Sequence, residues 1–132
     1  MNMARLKGIQ HLRVFTFPAE WADCVAFYGD TLGLRLRSRE EKTGVAVFSL
    51  GGKNTLSVER ANPKDREEKK LVGRFVGVSI GVDDILRAYK ELSAAGVMFD
   101  GAPQAEAWGG SLTHFRDPAG NVLSLVQNAA RG

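Results

Sequence analysis

The sequence is short of the features that mark several large protein classes. It has one cysteine, Cys24, so no internal disulfide is available to staple the chain. Cys24 falls among Val25, Ala26 and Phe27 in an expected helix, where a thiol reads as buried and inert. No apolar run approaches the roughly 18 residues that a membrane-spanning helix needs. The opening MNMARLKGIQHLRV has no apolar segment followed by a small-residue cleavage site, so the expectation is a cytoplasmic protein without a membrane partner. Basic residues are not clustered either. Net charge is +3, and the alternating Arg35, Arg37 and Arg39 are followed at once by Glu40 and Glu41 with no aromatic ladder beside them. That pattern is a solvated strand face, not a nucleic-acid surface.

What is present fits one ordinary domain. With 132 residues, 44% of them hydrophobic and 25% charged, the chain is long enough to bury a core unaided. GIQHLRVFT alternates and predicts a strand from about 8 to 16. Pro18 then opens a helix carrying Trp21, Val25, Tyr28 and Leu32 at helical spacing, closed by Gly33. Three strands follow, over 34–41, 45–50 and 55–60, with KTG and GGKN as turns. NPKDREEKK has no apolar period and reads as an exposed linker. The pattern then restarts: RFVGVSIGV as a strand, DDILRAYKELSAAG as a helix capped by Asp83 or Asp84 and ended by Gly96, VMFDG as a strand, a Gly/Ala/Pro-rich loop and a closing hairpin. Gly33 and Gly96 lie 63 positions apart, close to half the chain, as a duplicated module requires. The expected domain is therefore 1–132, with a first module over 8–60, a linker over 61–73 and a second module over 74–128. The fold class is α+β: two βαβββ modules forming curved mixed sheets around a cup, with helices outside.

Strand alternation separates two faces. Leu12, Val14, Leu56, Val58, Val76, Val78, Ile80, Leu123 and Leu125 share the face that packs on the helices. The other face carries Ile9, His11, Arg13, Thr55, Ser57, Glu59, Phe75, Gly77, Ser79, Val122, Ser124 and Val126, too polar for a second core. On a curved sheet it lines a cup suited to a small ligand.

The doubled plan, FYGDTLGLRL at the first helix-to-strand junction and FRDPAGNVLSLVQ near the end resemble the vicinal oxygen chelate superfamily. Its members include glyoxalase, extradiol dioxygenases, fosfomycin resistance enzymes and metal-free bleomycin-binding proteins. The resemblance implies a metal held by cup-facing residues on the first and last strands of each module. Those positions match His11 and Glu59 in the first module, both competent ligands, and Gly77 and Ser124 in the second, neither a usual one. His11 to Gly77 is 66 positions and Glu59 to Ser124 is 65, consistent with the module offset. If the final turn is centred on Ala119, His114 faces Ser124 across the hairpin. His11, Glu59 and His114 would then supply a two-histidine, one-carboxylate set; the other reading is that His114 hydrogen-bonds a ligand or lines the cup.

His11 and Glu59 likewise have a metal-free reading, as a hydrogen-bonded or charged pair that orients a bound molecule. Arg13 favours an anionic group or pairs with Glu59. Trp108, on the glycine-flanked EAWGGS, offers an indole for stacking, and Phe48, Ser57, Phe75 and Ser124 complete the ligand-binding candidates. The expected function is a small-molecule-binding protein of the glyoxalase and bleomycin-resistance type that takes a partly aromatic or anionic ligand and needs no cofactor. The alternative is a metal-dependent lyase or dioxygenase using one divalent ion. Single-domain members of this superfamily commonly pair, so a homodimer with shared cups is also implied.

Overall fold

A computed structural model describes residues 4–130. The ends of the expected domain, 1–3 and 131–132, lie outside the described residues. The fold is α+β with two mixed sheets, as expected. The first sheet has the order β1 (His11–Thr16), β4 (Asn54–Arg60), β3 (Val45–Gly51), β2 (Arg35–Glu40). The second has the order β5 (Phe75–Gly81), β9 (Val122–Gln127), β8 (Ser111–Arg116), β6 (Met98–Phe99), and β7 (Gln104–Ala105) also pairs with β8. In each sheet the first strand of the module runs parallel to the last. A crossover helix is what allows that parallel pairing.

In the first module a 3₁₀ turn, Pro18–Glu20, leads into α1 (Trp21–Ala26), whose end widens into a π-type segment, Phe27–Thr31. Proline starts this turn because its fixed φ suits a first helical position and its missing N–H is not needed there. Gly33, at φ +76°, lets the chain leave the helix toward β2. α3 (Ile85–Ala94) covers the second sheet. Its cap is Asp84, whose carboxylate accepts from the Arg87 amide at 3.1 Å, so the choice between two aspartates is settled.

Four local expectations change. β1 begins at His11, not near residue 8; its pairing with β4 starts at His11 opposite Thr55, whose amide donates back to the Gln10 carbonyl at 3.2 Å. The linker holds a short helix, α2 (Arg66–Lys69), capped by the Asp65 carboxylate, which accepts from the amides of Glu67 and Glu68. Local capping creates it where hydrophobic periodicity is silent. The strand expected over VMFDG shortens to the two residues of β6. The Gly/Ala/Pro-rich loop contributes β7.

One core serves both modules, with Val14, Tyr28, Phe48, Leu56, Phe115 and Leu123 each at most 1% exposed. The sheets meet where β1 passes the segment leading into β5, and the DPAGN turn between β8 and β9 holds that junction. Asp117 Oδ1 accepts from the amides of Ala119 and Asn121, while Asp117 Oδ2 accepts from Tyr28 Oη at 2.8 Å and Asn121 Nδ2 at 2.9 Å. Asn121 Nδ2 also donates to the Phe15 carbonyl at 2.9 Å, and its Oδ1 accepts from the amides of Gly73 and Arg74. A turn of the second module thereby reaches β1, the first helical segment and the linker.

Asn121 is fully buried, so truncating it strands several polar groups away from water. Asn121→Ala is expected to cost about 3 kcal/mol in urea unfolding. Burial, with the Asp117 carboxylate beside it, raises the Tyr28 phenol well above its ordinary value of 10.0. The unfolded chain loses this proton before the folded one, so the stability tied to it is intact below pH 10 and falls as pH rises above that. Tyr28→Phe is expected to be less stable at neutral pH and to lose less of its stability between neutral pH and pH 11, as read from urea midpoints across that range.

Candidate functional site

β1 and β4 run in parallel register, with Arg13 opposite Ser57 and His11 opposite Thr55, and alternation turns all four toward the cup. Their side chains form a continuous chain. Glu59 Oε2 accepts from Ser57 Oγ at 2.6 Å and from Arg13 Nε at 3.2 Å. His11 Nε2 meets Ser57 Oγ at 3.0 Å, and His11 Nδ1 meets Thr55 Oγ1 at 2.5 Å. Because the single serine proton goes to Glu59, Ser57 accepts from His11 Nε2–H. Thr55 Oγ1 is the partner of Nδ1. Every member satisfies its neighbour, so the row is fixed by its own hydrogen-bond polarity.

This row borders a cleft of about 300 Å³ shared by the two modules, with His11, Thr55 and Leu50 on one side and Val78, Ser79 and Ile80 on the other. Its mixture of branched apolar walls and a few hydroxyls is that of a small-molecule site.

The second module supplies a separate group. His114 and Ser124 are register partners, as the turn-centring argument expects, and His114 Nδ1 lies 2.6 Å from Ser124 Oγ. The Phe75 ring stands edge-on to the imidazole, with centroids 6.1 Å apart. His114 also lines a cleft of about 180 Å³ with Asp100, Gln104 and Glu106. This cleft lies where the Gly/Ala/Pro-rich loop passes from β6 to β7 along the middle of β8, with the Asp100 amide donating to the His114 carbonyl at 3.0 Å and Thr113 Oγ1 to the Gly101 carbonyl at 2.7 Å; the sequence marks the loop but not that it sets two carboxylates near His114. Asp100 is already held by Arg116 at 3.2 Å.

The candidate residues therefore divide. His11, Arg13, Ser57 and Glu59 come together; Phe75, His114 and Ser124 come together; the two groups do not converge within the chain. Phe48 is in neither. It is opposite Leu56 on the core side, 1% exposed and packed beside the Tyr28 ring, so it lines the core and not the cup. Trp108 sits on an exposed turn, 54% accessible, with its ring against Gly110, where no side chain would fit. Gly77 adopts φ +76° inside a β5 bulge, since Phe75 pairs with Val122 but Ser79 with Ser124. Backbone geometry thus explains glycine at that position.

A cup metal would need donors that are already committed. Both ring nitrogens of His11 are engaged, the Glu59 carboxylate is shared by a hydroxyl and a guanidinium, and His114 stands in the other group. Among the described residues no three His, Cys, Asp or Glu side chains are arranged to hold a metal ion. Within one chain the donor set does not fit a metal centre.

No helix of the described residues is long and apolar enough to cross a membrane. No curated protein matches the sequence. Among solved structures, the chain is similar to a member of the glyoxalase/bleomycin resistance protein/dioxygenase superfamily from Sphaerobacter thermophilus. That pair shares 25% identity over 93% of this chain and 98% of the other, with a TM-score of 0.77. A glyoxalase/bleomycin resistance protein/dioxygenase from Nocardioides shares 26% identity over 99% of this chain and 89% of its own, with a TM-score of 0.73. TnmS3, an antibiotic binding protein from Streptomyces, shares 25% identity over 96% and 100% of the two chains, with a TM-score of 0.76. The profile of the Glyoxalase/Bleomycin resistance protein/Dioxygenase superfamily matches residues 8–125, and with the doubled module and the Asp117–Asn121 turn this shows that the chain belongs to that superfamily, a family that binds small molecules.

Proposed function

We propose that this protein binds a flat, partly apolar or anionic small molecule in its cup, without a metal ion. One observation carries the reading: the two side chains best suited to ligate a metal, His11 and Glu59, are tied into a closed Thr55–His11–Ser57–Glu59–Arg13 row. Such a row presents polar groups to a ligand with their orientations fixed in advance, which lowers the ordering cost of binding. Arg13, with its side chain 62% accessible, can still turn an N–H toward an incoming anion while Glu59 holds it in place. The likeness to TnmS3, described as an antibiotic binding protein, supports the sequestration of a drug-like compound.

A homodimer belongs to the same proposal. Pairing the first module of one chain with the second of another would set His114, Ser124 and Phe75 opposite the His11 row and enclose a ligand between them. That arrangement also favours the second reading, a metal-dependent lyase or dioxygenase, because His114 of one chain would then approach His11 and Glu59 of another.

Elemental analysis of untagged protein, repeated on His11→Ala and Glu59→Ala, separates the two. The expected result is no stoichiometric divalent ion in any of the three; one ion per chain, lost in both variants, would establish the enzyme reading instead. Trp108→Ala is expected to weaken binding of a planar aromatic probe about three- to tenfold by fluorescence-detected titration. Unchanged affinity would remove the indole from the ligand's contacts.

A further inference from the structure

We infer that the Phe75 ring, seated beside His114 and flanked by Gly77, is a stacking shelf that makes the cup select planar aromatic ligands over saturated ones of the same charge. The inference rests on the binding reading above and assigns its selectivity to one place in the second module.

Phe75 is 65% exposed on a strand whose alternate residues face the cup. A phenylalanine so accessible on a concave face keeps apolar surface in water that a bound partner would cover. Its surroundings are built to keep it there. Next along the same face come Gly77 and Ser79, so the strip beside the ring has no bulky side chain. The β5 bulge at Gly77 turns the strand locally. A β-carbon on Gly77 would lie 3.5 Å from the ring's Cε2, already at contact distance, and φ +76° disfavours any side chain there. Glycine at 77 therefore answers to the left-handed backbone, and it leaves that flank of the ring without a side chain.

On its other side the ring meets His114 edge-on at an interplanar angle of 67°, and Ser124 fixes that imidazole through Nδ1 at 2.6 Å. The shelf is thus a phenyl face with one edge braced and one flank empty. A flat π-system can lie across it with the offset that aromatic pairs prefer; a puckered ring makes fewer contacts and gains no quadrupolar term.

Two sulfonates test the idea by isothermal titration calorimetry: 2-naphthalenesulfonate, which is planar, and cyclohexanesulfonate, which is not. Their shared sulfonate cancels the contribution of the cup's cations. Wild-type protein is expected to prefer the naphthyl probe by about tenfold. Phe75→Ala is expected to bring the two within about twofold while leaving the urea midpoint in place, since the residue is largely exposed. A preference that survives in Phe75→Ala would overturn the shelf and leave the binding reading intact. Wild-type protein that binds neither probe would overturn both. If Phe75→Ala instead converts a dimer to a monomer in sedimentation with the preference intact, the ring belongs to a subunit contact and the inference fails.

Discussion

The buried exchange between Asp117 and Asn121 is the constraint on which the remaining geometry depends. A two-strand hairpin cannot hold a second module against the first by itself. Here its turn sends a carboxylate to Tyr28 and a carboxamide to both β1 and the linker, closing a network in which the donors and acceptors it reaches are paired. Satisfied buried polar networks specify one arrangement because any other leaves a desolvated group without a partner. The seam between the modules is therefore fixed in register as well as in distance, and the cleft along it has definite walls.

Away from that seam the two sides of each sheet differ. The core side of each sheet is committed: Val14, Leu56, Phe115 and Leu123 leave no room for alternatives. The other side of each sheet is polar, and its side chains are held by hydrogen bonds to one another. In this chain the first module's share has become a self-satisfied hydrogen-bonded row. The second has become an aromatic and imidazole pair around a glycine bulge. These two arrangements take in His11, Glu59, Gly77 and Ser124, and the second depends on the backbone as much as on the side chains.

Much of this is legible from residue order. Alternation in β1, β4, β5 and β9 separates the core face from the cup face, and the centring of the DPAGN turn pairs His114 with Ser124. Phe48 shows where alternation fails. Its side of the sheet depends on the β3–β4 register, which shifts between Ser49 and Gly51, and a one-residue slip turns every side chain to the opposite face. The cleft beside His114 is illegible for a related reason: β6 and β7 are two residues each, too short to show a period, and only their pairing with β8 leaves a gap between them.

The sequence by itself determined the doubled module, the helix boundaries set by proline, aspartate and glycine, and the two faces of β1, β4, β5 and β9, because these follow from local periodicity and backbone preference. Only the tertiary structure decided which of those residues touch. It placed His11 with Ser57 and Glu59, set His114 with Ser124 and the Phe75 ring, and put a left-handed backbone at Gly77. Contacts between strands distant in sequence depend on register, bulges and buried polar pairing, and none of these leaves a period in the chain.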